Sequence, residues 1–143
     1  MKVIHLLIKE LCLFLTFGSI YFIIESIFKG HITNYRMFIM AGIIGILIGS
    51  INNWFSFETN FYLQCFTGTL VALLSECICG YQWNIIEHLS LWNYSKLPMS
   101  FVGGQINLFF AFVWFLLSAI CIYVDDIIRW KFFEEEEPHY NFL

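Results

Sequence analysis

Four long stretches almost free of charge decide what this chain can become: residues 11–28, 37–55, 61–79 and 101–124, broken only by Glu25 in the first and Glu76 in the third. Leu11 to Phe28 alone is about 18 residues, enough for about 27 Å of hydrocarbon at helical rise. The chain has 143 residues, of which 59% are hydrophobic and only 13% charged; soluble domains carry roughly 25% charged residues. A water-soluble fold of this size has too little interior to hide so much apolar surface, whereas lipid accepts it on every outward helix face. The expected fold is therefore an all-α integral membrane protein with four transmembrane helices in two hairpins. It forms one domain over 1–133, followed by an acidic tail over 134–143.

Charge is local. Much of the net charge of −4 comes from Glu134-Glu135-Glu136-Glu137, expected to be a solvated tail. No basic stripe exists of the kind nucleic acid requires. Lys2, Lys9, Arg129 and Lys131 lie on the terminal side and Lys29, Arg36 and Lys96 on the loop side. That small excess places both termini in the cytoplasm by the positive-inside rule. The first span lacks a small-x-small cleavage site and is expected to be retained. The five cysteines lie in or beside apolar stretches, and none has zinc spacing. Cys77 and Cys79 point about 200° apart on a helix, so neither a disulfide nor a metal is assigned.

Between the spans, Lys29 to Arg36 reads as a polar link broken at Gly30. Gly42, Gly45 and Gly49 share a face of the second span, where another helix backbone can approach closely. Asn52-Asn53-Trp54 marks the exit to the interface. Over 83–95, Ile85, Ile86, Leu89 and Trp92 fall near one face, which reads as a helix lying in the headgroup layer. Pro98 then starts the fourth span, which Asp125-Asp126 and Arg129 close. A short internal echo relates Gly18, Glu25 and Gly30 to Gly68, Glu76 and Gly80, at a shift of about fifty residues.

An ionisable group inside a membrane span is costly unless paired, hydrated or protonated, and so marks a candidate site. Four antiparallel spans bring Glu25 and Glu76 to the same side at similar depth, with Gln105 and Asn107 joining from the start of the fourth. Arg36, Asn93 and Tyr94 of the two loops on that side complete the candidate set for a small polar or cationic solute. Two acids held close in low dielectric share a proton, while an acid beside Lys29 or Arg36 stays ionised. The bland alternative is that each Glu snorkels to the headgroups or pairs with a loop base. No phosphate loop, nucleophile elbow or haem spacing occurs, so no catalytic residue, cofactor or metal is assigned. Glu76 with His88 is the one pair an intramembrane enzyme could use.

One further pattern runs from Thr67 to Trp114: Glu76 ending a span, Gly80, Trp92-Asn93-Tyr94-Ser95, Pro98, and Gly104-Gln105-Ile106. It resembles the bacterial ABC-transporter type IV membrane-protein family, whose first-span Glu corresponds to Glu25 and whose Asn-Arg loop corresponds to Asn34-Tyr35-Arg36. Asn93 stands where that family has Asp and Gln105 where it has Arg, so two charges are lost together. The family's Gly-Pro and Pro-Ile-Tyr-Gly stretch in the second span is missing. The resemblance implies a permease-like or channel-like transport component of a bacterial cell membrane, working with a second copy or a partner membrane subunit. A proton-coupled exporter similar to the small multidrug-resistance proteins is the alternative within transport. A non-transporting scaffold or accessory subunit is the alternative outside it.

Overall fold

A computed structural model describes residues 2–143. Its helices are α1 (Lys2–Lys29), α2 (Tyr35–Gly49), α3 (Ile51–Trp54), α4 (Phe61–Gly80) and α5 (Leu108–Phe133). With α3 continuing α2 past Ser50, and a wide π turn at Tyr81–Ile86 continuing α4, four helical runs are long and apolar enough to cross a membrane. Large apolar side chains cover their outer faces, among them Ile23, Leu70, Leu74 and Phe112.

α2 is the central element. Its Met40, Ile44 and Ile48, with Ile51 of α3, pack with Cys65 and Ala72 of α4 and with Trp114 and Ile122 of α5. α1 lies along α2 and α4 along α5, whereas α1 and α5 touch only sparsely. The glycine face of α2 makes this closeness possible. A Cβ on Gly45 would lie 2.3 Å from Phe17 Cβ, and one on Gly49 would lie 2.4 Å from Asp125 Oδ1. The echo between the halves has a packing counterpart: Gly18 of α1 is approached by Phe38 of α2, and Gly68 of α4 by Ser118 of α5.

Several boundaries differ from the sequence reading. α1 begins at Lys2, not near residue 11, because the charges that seemed to bound it have partners: Lys9 pairs with Glu135, and Arg129 approaches Glu10 at 3.5 Å. α5 spans Leu108–Phe133 and not 101–124. Before it, Ser100–Phe101 pairs antiparallel with Ile106–Asn107 around a turn with positive φ at Val102, Gly103 and Gly104. The Asn107 side chain then caps the helix, its Oδ1 accepting from Phe109 N at 2.9 Å. Asp125 and Asp126 do not close this helix; Arg129 pairs with Asp125 one turn on, and the helix continues.

The separate interfacial helix over 83–95 is replaced by the π turn and an irregular loop. Asn84 Oδ1 accepts from Leu91 N at 2.7 Å and its amide donates to Gln105 Oε1 at 2.9 Å, folding the chain back on itself. His88 and Ser90 adopt positive φ within that reversal. In the tail Glu134, Glu136 and Glu137 are exposed, while Glu135 and the residues near the end anchor it to the bundle. Asn141 O accepts from Phe61 N at 2.7 Å, supplying one of the acceptors that the start of α4 needs, and Tyr140 OH donates to Asp126 at 2.8 Å.

A candidate cation cavity at the loop end of the bundle

The end of the bundle that carries the 30–34 link and the 87–107 loop contains a cavity of about 270 Å³. Glu25 reaches it from α1, Glu76 from α4, and Trp114 and Phe110 from α5, while Trp92 and Tyr94 close it from the loop. The helical period explains the α1 contribution, since Tyr21, Glu25 and Lys29 are each four residues apart and share one face. Glu76 lies four residues, about one turn, before the end of α4 at Gly80, and the π turn carries the run on to Ile86.

Both acids are buried, at 9% exposure for Glu25 and 3% for Glu76. Their environments differ. Glu25 Oε1 pairs with Lys29 Nζ at 2.5 Å, and the same ammonium donates to Thr33 Oγ1 and Leu91 O. Lys29 is thus held by three acceptors and fixes the loop to α1. Glu76 has no cation. Its polar neighbours are neutral: the Trp114 indole N–H, and Tyr94 OH at 3.5 Å from Oε1, longer than the roughly 3.0 Å limit of a strong O–H···O bond. Burial, then the charges of Glu76 and Glu25, hold the Tyr94 phenol well above its ordinary value, so it remains a donor. Glu25 Oε2 and Glu76 Oε2 are both buried without a hydrogen-bond partner.

The rest of the lining is aromatic. Tyr21 stacks on Trp114 with ring centroids 5.6 Å apart, and Tyr94 stacks on Phe110 at 4.6 Å. The loop sets the position of Tyr94. Its N–H donates to Gly104 O at 2.8 Å, and Asn93 Oδ1 accepts from Ser95 N at 2.8 Å in an Asx turn. Gly104 has φ +81°, and a Cβ there would lie 2.6 Å from both Asn93 Oδ1 and Ser95 N. No other residue fits that close approach without moving the Tyr94 turn.

The seven candidate residues therefore divide. Glu25, Glu76 and Tyr94 line the cavity. Gln105, Asn107 and Asn93 serve the loop instead. Gln105 is buried and bonds Asn84 and Gly103, its carbonyl accepts from Trp92 Nε1 at 3.0 Å, and Asn107 also donates to Pro98 O and Ser100 Oγ. Arg36 sits away from the cavity, paired with Glu87 at 2.6 Å and lying over the Trp83 ring. Gln82 and Arg36 together hold the Glu87 carboxyl below its ordinary range.

Tyr21 and Trp114 went unmarked in the sequence reading, although each carries a signal. Tyr21 stands one turn before Glu25, and Trp114 lies inside a span and away from the interface where Trp usually gathers. The opposite end of the bundle was missed as well. There Asp125 and Arg129 form a buried pair at 2.5 Å, and Asn52 Nδ2 donates to Asp126 Oδ2 at 2.6 Å. The i,i+4 spacing of Asp125 and Arg129 is the signal that could have found it.

Among the described residues no group of three or more His, Cys, Asp or Glu is placed to hold a metal ion. Comparison with family models, with curated proteins and with solved structures finds no match to this chain.

Proposed function

We propose that this chain is a small multi-pass membrane protein, arranged as two membrane-crossing hairpins, that takes up a small organic monocation in the cavity between Glu25 and Glu76. One observation carries the reading: Glu76, 3% exposed and without any cationic partner, faces a cavity walled by aromatic rings. Two carboxylates against the single ammonium of Lys29 give a formal charge of −1. An uncompensated charge in low dielectric has to be neutralised, by a proton or by a cation. Trp, Tyr and Phe faces attract an organic cation and reject an anion. A proton and an organic cation competing for Glu76 would couple their movements.

The binding site is built within one chain. The second copy anticipated for a complete pathway would serve conduction and not cation binding. The resemblance to the ABC-transporter type IV family supports a permease-like or channel-like component in a bacterial cell membrane, with termini in the cytoplasm by the slight excess of basic residues on that side. The test is uptake of radiolabelled tetramethylammonium into proteoliposomes. Wild-type protein should give saturable uptake, and Glu76→Gln at equal incorporation should reduce it to the protein-free rate. Equal uptake by the two proteins would refute the proposal.

A further inference from the structure

We infer that the hairpin of residues 97–107 is the chain's interfacial anchor, a wedge whose apolar tip enters the acyl-chain boundary of the bilayer on the loop side and partners lipid directly. This anchor is independent of any cation in the cavity: it requires only that the four apolar runs cross a membrane. Its basis is an inverted distribution of side chains. Leu97, Met99, Phe101 and Val102 are 45% to 65% exposed, whereas Gln105 and Asn107 of the same hairpin are each 2% exposed. A loop that faces water has the opposite arrangement. A contiguous exposed apolar patch marks a surface with a partner.

The hairpin satisfies its own polar groups, the condition for backbone to enter an apolar layer. Ser100 Oγ donates to Tyr94 O at 2.6 Å, and the Asn107 amide donates to Pro98 O and Ser100 Oγ. Gly104 N donates to Phe101 O at 3.1 Å, Gln105 N to Val102 O at 3.2 Å and Leu108 N to Met99 O at 3.1 Å. The tip also departs from what a turn in water would use. Met99 and Val102 take φ of +59° and +53°, where glycine folds more readily and a β-branched side chain is rare. Apolar bulk at those positions costs the turn something that contact with hydrocarbon offsets.

Position in the bundle selects lipid as the partner. A Cβ added to Gly103 would lie 3.6 Å from Ile85 Cδ1, and one added to Gly80 would lie 2.5 Å from Gln105 Oε1. The hairpin therefore runs beside the last turns of Phe61–Ile86, an apolar run long enough to cross a membrane. The charged pair of Arg36 and Glu87 follows directly after Ile86 and marks where water begins. On its other side the patch continues into Leu108 and Phe109, exposed at the start of α5, and no charged residue occurs from Leu97 to Val124. Lys96, exposed just before the tip, is placed to carry its ammonium up to lipid phosphates. Such an anchor reaches about 5–10 Å into the headgroup and acyl boundary, as amphipathic helices do. The interfacial role expected of residues 83–95 thus passes to the segment that follows them. Because Gly104 O accepts from Tyr94 N, the wedge also ties the aromatic lid of the cavity to the membrane surface.

The full chain in proteoliposomes of phosphatidylcholine and phosphatidylglycerol, with Phe101 replaced by the photoreactive analogue p-benzoylphenylalanine, provides the test. Irradiation should give chains carrying a phospholipid, with the new bond placed on an acyl chain by tandem mass spectrometry. The yield should be comparable to that of the same analogue at Phe112, on the outer face of α5. The analogue at Met99, also on the tip, should behave alike and serves if the first variant does not fold. A bond confined to the headgroup, or no lipid adduct at either tip position while Phe112 gives one, leaves the hairpin in water and overturns the inference. Crosslinked pairs of chains in place of lipid adducts put a second copy over the tip and overturn it as well. Lipid adducts at neither the tip nor Phe112 overturn the membrane reading along with it.

Discussion

At the terminal end of the bundle Asp125 is fully buried and held by Arg129 at 2.5 Å, while Asp126 accepts from Asn52 and Tyr140. At the loop end Glu76 is buried almost as deeply, yet it meets no cation, only the neutral Trp114 indole and the Tyr94 phenol, the latter at 3.5 Å. The residue types are alike and the partnering is not. Acids that hold a bundle together come with fixed donors, and an acid left without them is available to something that comes and goes. Glu25 is partnered like Asp125, each with one oxygen on a fixed cation and the other buried without a hydrogen bond, which leaves Glu76 as the acid with no cation at all.

This contrast breaks most visibly at Arg129. Arg129→Ala would leave Asp125 buried without its cation and should cost about 3–5 kcal/mol, read as a lowered unfolding temperature in detergent. Glu76→Gln should do the opposite, leaving stability unchanged or raising it by about 1 kcal/mol, because the amide removes a charge that had no partner. If the two variants lose stability equally, the distinction between the ends disappears.

Next in size are the close approaches. Gly49→Ala puts a methyl 2.4 Å from Asp125 Oδ1 and should cost about 1–3 kcal/mol at the terminal end. Gly104→Ala, at φ +81°, should instead displace the Tyr94 turn, so that cation binding weakens more than thermal stability does. Tyr140→Phe removes one donor from Asp126 and should cost about 1 kcal/mol.

The smallest effect belongs to the surface pair of Arg36 and Glu87. The Glu87 carboxyl is held below its ordinary range, so its contribution is complete above the ordinary carboxylate pKa and is lost as pH falls through the lowered one. Arg36→Ala should flatten that acid limb of a stability–pH profile and leave cation binding unchanged.

Much of this architecture could be read from the chain itself. Runs of apolar residues mark four helices, and an acid inside an apolar run stands out whatever surrounds it; Glu25 and Glu76 both lie on the cavity for that reason. Partnering was far less legible. Gln105 and Asn107 resemble site residues by type, but their amides are consumed in holding the loop, which follows from the positive-φ turn at Val102 to Gly104 that apolar patterning does not encode. Lys9 and Glu10 read as flanking the first span, because a charge near an apolar run ordinarily ends it, and Glu135 read as part of a solvated tail. Here they meet across more than a hundred residues of chain, a pairing that no local pattern records.

Equilibrium binding of radiolabelled tetramethylammonium to nanodisc-embedded protein, compared between wild type and Glu76→Gln at equal folded fraction, tests the central claim most directly. We expect saturable binding of one cation per chain in the wild type and none in the variant, with both unfolding at the same or nearly the same temperature. Undiminished binding by the variant would contradict the claim and leave Glu76 as a buried acid with no ligand to serve.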